Sequence, residues 1–237
     1  MAGVTPTVLI VPAAGTGKRL GLGPPKALAD VGDMALVRAT LEAFTDIEAI
    51  VEAIVAAPAS ALSEVARALT GISWRDCEVR VVPGGATRQE SVRQGLESVR
   101  SAAQLVCVHD GARPLVRRGL IEAVLQAAAV SGAATAARRP ADSVREDVAD
   151  GRTRPLDRER LWLVETPQAF RRELLARAHG SARAKGETFS DDASLVEAMT
   201  GCTVEMVASG GGNVKVTTPG DLELVRAVLA RRRREHR

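Results

Sequence analysis

Short β-branched apolar runs alternate with stretches of helical spacing along most of this chain. Residues 7–11, 50–56, 78–82 and 105–108 read as strands, and 133–137 as a strand of small residues. Between them, 34–44, 59–69, 87–99 and 120–130 read as helices. Leu36, Ala39, Leu41 and Phe44 fall on or near one face of the first, and Val92, Leu96 and Val99 point inward from the third. Such alternation predicts an α/β fold, a Rossmann-like, mostly parallel sheet with helices on both faces. Ligands of these sheets bind beyond the carboxyl ends of the strands. A Gly-rich loop follows the first strand and His109-Asp110-Gly111 follows the fourth, so both fall at that edge.

The rhythm breaks at residues 138–160, which are charged and hold few large apolar side chains. A structureless loop longer than about 15 residues is unusual in a compact domain. The segment is therefore expected to be a protruding β-hairpin arm turning near Asp150-Gly151. The chain resumes at 161–164, with helices near 167–178 and 191–200, strands at 203–207 and 214–216, and a last helix from Pro219. Thr218 is the expected N-cap of that helix with Pro219 at its first position, and Ser190-Asp191-Asp192 reads as another cap. No internal repeat is visible. The expectation is one domain over 1–237, with 138–160 as an arm and 231–237 as a basic tail.

Composition narrows the function classes. Aromatic residues make up 2% of the 237 and there is no Tyr, which argues against folds that stack nucleic-acid bases on aromatic rings. The net charge of +3 is misleading, because five Arg and one Glu in 231–237 contribute +4 and leave the rest of the chain at −1. A near-neutral body with a short basic end is a poor nucleic-acid binder. Cys77, Cys107 and Cys202 are too few and too scattered for a disulfide framework or a zinc site. The longest apolar stretch, 47–57, contains Glu48 and Glu52 and cannot span a bilayer. With no signal-peptide pattern at the N-terminus, a cytoplasmic protein without a membrane partner is expected.

The strongest chemical signal is Pro12-Ala13-Ala14-Gly15-Thr16-Gly17-Lys18-Arg19-Leu20, followed by Pro25-Lys26. A Walker A loop fails here, because Arg19 follows Gly17-Lys18 and Pro12 stands where the first Gly belongs. The dinucleotide fingerprint fails too, because Leu20 occupies the third Gly position. What remains is a loop of small residues whose amides can approach a phosphate closely, flanked by Arg19 and Lys26. Triphosphate binding is the expectation.

A-A-G-x-G-x-R-L followed by P-K resembles the signature of sugar-nucleotide-type nucleotidyltransferases. Further segments follow in order: Gly84-Gly85-Ala86-Thr87-Arg88-Gln89-Glu90-Ser91-Val92, Val108-His109-Asp110-Gly111-Ala112-Arg113-Pro114, Thr166-Pro167-Gln168, Ser190-Asp191-Asp192-Ala193-Ser194 and Asn213-Val214-Lys215-Val216-Thr217. Together they resemble the 2-C-methyl-D-erythritol 4-phosphate cytidylyltransferase family, from about Val8 to Leu229.

The resemblance implies an enzyme of non-mevalonate isoprenoid synthesis that joins CTP to a polyol phosphate and releases pyrophosphate. Arg19 and Lys26 would stabilise the pentacovalent α-phosphate and the leaving group. CTP would be held by Ala13, Ala14, Gly15, Gly17, Lys26, Gly85, Ala86, Ser91, Asp110, Ala112 and Lys215, with Asp110 also holding Mg²⁺. Ser143, Arg158, Thr166 and Lys215 would hold the polyol phosphate. The arm would cross to the other subunit of a homodimer. Arg88 would organise its loop, and Arg113 would either contact CTP or shape its own loop. A phosphate monoester is largely dianionic at pH 7, its second pKa lying near ~6, so no general base is needed.

Departures from the family pattern concern placement rather than charge. Ser143 stands where the family usually has Thr, Arg145 where it often has Lys, Ala27 where it often has Gln or Tyr, and Ala86 where some relatives have Asp. His109 is expected to be a hydrogen-bonded histidine at a strand end, and His179 and His236 to be surface residues. A ribitol 5-phosphate cytidylyltransferase is the nearest competing reading. A catalytically dead module would have lost Arg19, Lys26 or Asp110, and all three are present.

Overall fold

The computed structural model describes residues 4–15, 17, 25–74 and 77–235. Strand β1 (Thr7–Pro12) is buried along nearly its whole length. Side chains alternate across a strand, so Leu9 and Val11 enter one core while Val8 and Ile10 enter another. An unbroken apolar run is what a strand covered on both faces requires. The same logic makes β2 (Ile50–Ala57) and β4 (Leu105–Val108) the neighbours of β1.

The sheet continues with β3 (Glu78–Pro83), β5 (Ala133–Arg138), β8 (Leu163–Arg171) and β9 (Glu205–Ala208), in the order β3-β2-β1-β4-β8-β5-β9. Only β8 is reversed, antiparallel to both β4 and β5. Helices α1 (Leu36–Glu42), α2 (Leu62–Ala68) and α4 (Arg118–Ser131) cover one face. Helices α3 (Arg88–Glu97), α5 (Arg172–Lys185) and α6 (Asp192–Thr200) cover the other. Leu222 and Val225 of α7 (Pro219–Glu235) pack on Ala29, Val31 and Leu36, the segment that follows Lys26. The sheet direction switches beside β1, between its connection to β2 and its pairing with β4. That crevice is where an open α/β sheet offers its ligand site.

The arm is a hairpin of β6 (Val144–Asp147) and β7 (Thr153–Leu156), which pair only with each other. Its turn holds Asp150 and Gly151 at positive φ, at the position the sequence marks. At its base the Arg139 guanidinium lies 3.8 Å from the centroid of the Trp162 ring.

Some expectations need correction. Residues 167–171 are the end of β8, and the helix starts only at Arg172. Pro167 cannot donate to a ladder, but the β5–β8 register shifts beside it, where a strand can accept proline. Residues 214–216 form no strand, although the Val216 amide donates to Ala112 O. The helix expected at 59–69 is a 3₁₀ turn followed by α2, and β9 begins two residues later than expected. His179 is 2% exposed, because α5 turns it toward α6 rather than toward solvent. His236 lies outside the described residues.

Candidate active site

One cavity opens at the switch point. It is lined by Ala13, Ala14 and Gly15 after β1, by Lys26, by Gly85, Ala86, Arg88 and Ser91 around the start of α3, by Asp110 and Ala112 after β4, and by Lys215. Apart from Gly17, every residue expected to hold CTP therefore meets at one place. Gly17 supports it instead: a Cβ there would lie 2.9 Å from Lys26 Cβ, and its φ of +67° suits glycine. Arg19 lies outside the described residues.

The segment before α3 is closed on itself. Thr87 caps the helix by accepting from Glu90 N, while Glu90 Oε2 accepts from Ala86 N at 2.8 Å and Thr87 N at 3.2 Å. Ser91, 1% exposed, accepts from Gly85 N at 3.2 Å and donates to Thr87 O at 2.9 Å. Gly84 lets this segment close on the loop after β1, for a Cβ there would stand 2.6 Å from Ala14 Cβ.

Asp110 is 6% exposed and faces three cations. Arg88 Nε donates to Oδ1 at 3.0 Å, Lys215 Nζ lies 2.7 Å from Oδ2, and Arg113 Nε lies 3.5 Å from Oδ2. Burial pushes the carboxyl up, but Arg88 and then Lys215 hold it well below the usual carboxylate range. Arg88 is likewise opposed by burial, and Asp192 and Asp110 raise it above its ordinary value.

Beneath this carboxylate the hydrogen bonds fix one another. Asp110 N donates to Thr166 Oγ1 at 3.0 Å. His109 Nε2 lies 3.0 Å from Arg113 O, which can only accept, so Nε2 carries the proton. Nδ1, 3.2 Å from Thr166 Oγ1, must then accept the hydroxyl hydrogen. Burial pushes His109 down to about 4, in keeping with this neutral ring. Thr166 is 3% exposed and its hydroxyl is engaged twice inside the protein, which places it as a support of the Asp110 loop.

Arg113 Nη1 donates to Asn213 O at 2.7 Å, tying its loop to the segment that carries Lys215. A second cavity is lined by Arg113, Arg138, Glu165, Asn213 and Lys215, so Lys215 borders both. Ser143 and Arg158 lie in the exposed arm and do not line the Asp110 cavity. Arg158 Nη1 donates to Ala141 O at 2.7 Å.

The sequence marks Gln168 and Asp192 only as members of short motifs and of a helix cap, and Glu165 not at all, so their part in this architecture is not read from it. Asp191 is the N-cap of α6, accepting from Ser194 N at 3.0 Å. Asp192 points inward to Arg88. Two adjacent acids where one cap suffices was the available signal.

Among the described residues, no group of three or more His, Cys, Asp or Glu side chains could hold a metal ion. Asp110 is the only carboxylate among the described residues lining the cavity. One ionised carboxylate beside a phosphate cradle suits Mg²⁺, which keeps several waters and takes substrate phosphates as ligands.

A switch point that sets a loop of small residues and a lysine on one side and an ionised carboxylate on the other suits a nucleoside triphosphate, and the molecule is an α/β nucleotidyltransferase by class. Residues 7–231 match the family described as IspD, 2-C-methyl-D-erythritol 4-phosphate cytidylyltransferase. The 2-C-methyl-D-erythritol 4-phosphate cytidylyltransferase of Pelotomaculum thermopropionicum is 40% identical over 225 residues, 94% of each chain. This chain belongs to the 2-C-methyl-D-erythritol 4-phosphate cytidylyltransferase family. Solved structures agree. The crystal structure of the Thermus thermophilus cytidylyltransferase of that name is 38% identical with a TM-score of 0.76, covering 94% of this chain and 98% of that one. The 4-diphosphocytidyl-2C-methyl-D-erythritol synthase of Anaerococcus prevotii is 25% identical with a TM-score of 0.84, covering 96% of this chain and 100% of that one.

Proposed function

We infer that this chain transfers the cytidylyl group of CTP to 2-C-methyl-D-erythritol 4-phosphate, giving 4-diphosphocytidyl-2-C-methyl-D-erythritol and pyrophosphate, in non-mevalonate isoprenoid synthesis. The observation that carries this reading is the meeting, at one cavity, of the loop after β1, Lys26, the 85–91 segment, Asp110 and Lys215. An oxygen of the substrate phosphate attacks the α-phosphorus of CTP. The bond from that phosphorus to the β-phosphate oxygen breaks, and pyrophosphate leaves. The barrier is charge crowding, so positioned cations supply most of the catalysis. Lys26 and Arg19 would act on the α-phosphate and the leaving group. Lys215, bordering both cavities, would contact both substrates.

Cytosine selection follows from what the 85–87 segment has left. The amides of Gly85, Ala86 and Thr87 are taken by Ser91 and Glu90. Thr87 O is taken by the hydroxyl and amide of Ser91, so the acceptors that would suit the exocyclic amine of cytosine, and mismatch the oxygen uracil carries there, are the carbonyls of Gly85 and Ala86. Mg²⁺ held by Asp110, when bound, would neutralise charge on the triphosphate. Asp110 already faces Arg88, Lys215 and Arg113, so it would take the metal with the triphosphate rather than before it.

The polyol phosphate would meet Lys215 and the arm residues Ser143 and Arg158 of a second copy, in a homodimer. The support is that these exposed arm residues line neither of the two cavities that Lys215 borders in their own chain. Thr166, whose hydroxyl meets Asp110 N and His109 Nδ1, would serve that site through the Asp110 loop. Among the described residues no helix is long and apolar enough to cross a membrane.

Pyrophosphate release tests the reading. With Mg²⁺, CTP and methylerythritol phosphate should react, and UTP or ATP should react far less. Equal turnover of ribitol 5-phosphate would shift the assignment to that acceptor, and equal turnover of ATP would overturn the account of the base.

A further inference from the structure

A line of buried charge runs behind Asp110. Arg88, the first residue of α3, spans two acids: Nε donates to Asp110 Oδ1 at 3.0 Å and Nη1 to Asp192 Oδ2 at 2.7 Å. Asp192 is 1% exposed and does not line the nucleotide cavity. Its backbone is held firmly. Gln168 Oε1 accepts from the amides of Asp192 and Ala193 at 3.0 and 3.1 Å, and Asp191 caps the same helix. Behind it, His179 Nε2 lies 3.4 Å from Asp192 Oδ1.

A guanidinium on a long stem has many rotamers, and a planar fork held at both ends has few. Asp110 alone could bind Arg88 in several orientations, whereas the second acid fixes the plane. Arg88 also belongs to the turn that closes the 85–87 segment. One side chain thus joins the cytosine side of the cavity to the carboxylate on its phosphate side. We propose that Asp192 is a positioning residue for the transfer reaction: it locks Arg88 across Asp110 and so holds the 85–88 turn and Asp110 in one fixed relation.

The proposal rests on the cytidylyl-transfer reading for its assay, not for its geometry. Asp192→Asn removes the charge and keeps the shape. Loss of such an outer partner typically costs about 10- to 100-fold. A fall of that size in kcat is expected, with KM for the polyol phosphate within about twofold. In an Arg88→Met background the same substitution should cost less than about twofold, because residues acting as one unit are not additive. Asp192→Glu, which keeps the charge but displaces it by a methylene, should fall between wild type and Asp192→Asn, and it carries the test if Asp192→Asn does not fold.

A folded Asp192→Asn protein with wild-type kcat, losses that multiply in the double variant, or an Asp192→Glu protein equal to wild type would each overturn the proposal. Calorimetric binding of CTP with Mg²⁺ gives a readout without turnover. Asp192→Asn should weaken it about 10-fold in the wild-type background and not further in Arg88→Met. Wild-type protein that binds CTP but turns over no polyol phosphate would contradict the transfer reading, and the binding cycle would still decide the role of Asp192.

Discussion

In the proposed transfer most of the chemistry would fall to cations, of which Lys26 lines the cavity. Removing one preorganised donor to a transition state typically costs ~10²–10³ in rate. Lys26→Ala and Arg19→Ala should each lower kcat by about that factor while weakening CTP binding far less. Near-normal kcat in either variant would move that residue from catalysis to structure. The histidine next to the central carboxylate plays a different part. An unfolded histidine takes a proton near ~6.5, whereas buried His109 is pushed down to about 4. Between those values the unfolded state binds more protons, so stability should fall as the pH is lowered through that window. Asp110 acts in a lower window. Its stabilising contribution is present above about 4, its unfolded range, and is lost only as the pH falls further. Urea midpoints that stay constant from pH 7 to 4.5 would contradict the buried neutral ring.

At the scale of elements, the turn into α3 and the arm are separable devices. Thr87→Ala removes a cap worth roughly 1 kcal/mol and frees the 85–87 segment, so it should lower stability and raise the KM for CTP together. Arg158→Ala should do the reverse kind of damage, weakening polyol-phosphate use while leaving CTP affinity, measured by calorimetry, nearly intact. Much of this architecture could be read directly from the chain. Strands β1, β2 and β4 are apolar runs rich in Val, Ile and Leu, broken only by Glu52, and the arm is the one long charged stretch in the sequence. β8 was hidden because Glu165, Thr166 and Gln168 are polar yet buried, so its middle does not look like a strand. His179 and Asp192 were hidden for a related reason: a helical pattern rich in charge does not reveal which polar side chain turns inward. The loop after β1, Asp110 and Lys215 were legible because their chemistry is local, in small residues and charges grouped in short motifs. The span of Arg88 between Asp110 and Asp192 depends on residues 104 apart in sequence, so no local pattern could announce it.

For the whole molecule, the proposed exchange of arms in a homodimer makes a counting prediction. Lys26→Ala and Arg158→Ala would break one site from two different chains. In a mixed dimer one site then carries both lesions and the other carries neither. With random pairing, coexpression of the two inactive variants should restore roughly a quarter of wild-type activity. No recovery in a verified mixed dimer would mean that each arm serves its own chain. The most direct test of the central claim follows the transferred phosphorus itself. With CTP labelled at the α-phosphate, methylerythritol phosphate and Mg²⁺, the label should pass into a diphosphate-linked cytidine product, one for each pyrophosphate released. Label recovered as CMP, or left in CTP while the polyol phosphate stays unchanged, would contradict cytidylyl transfer.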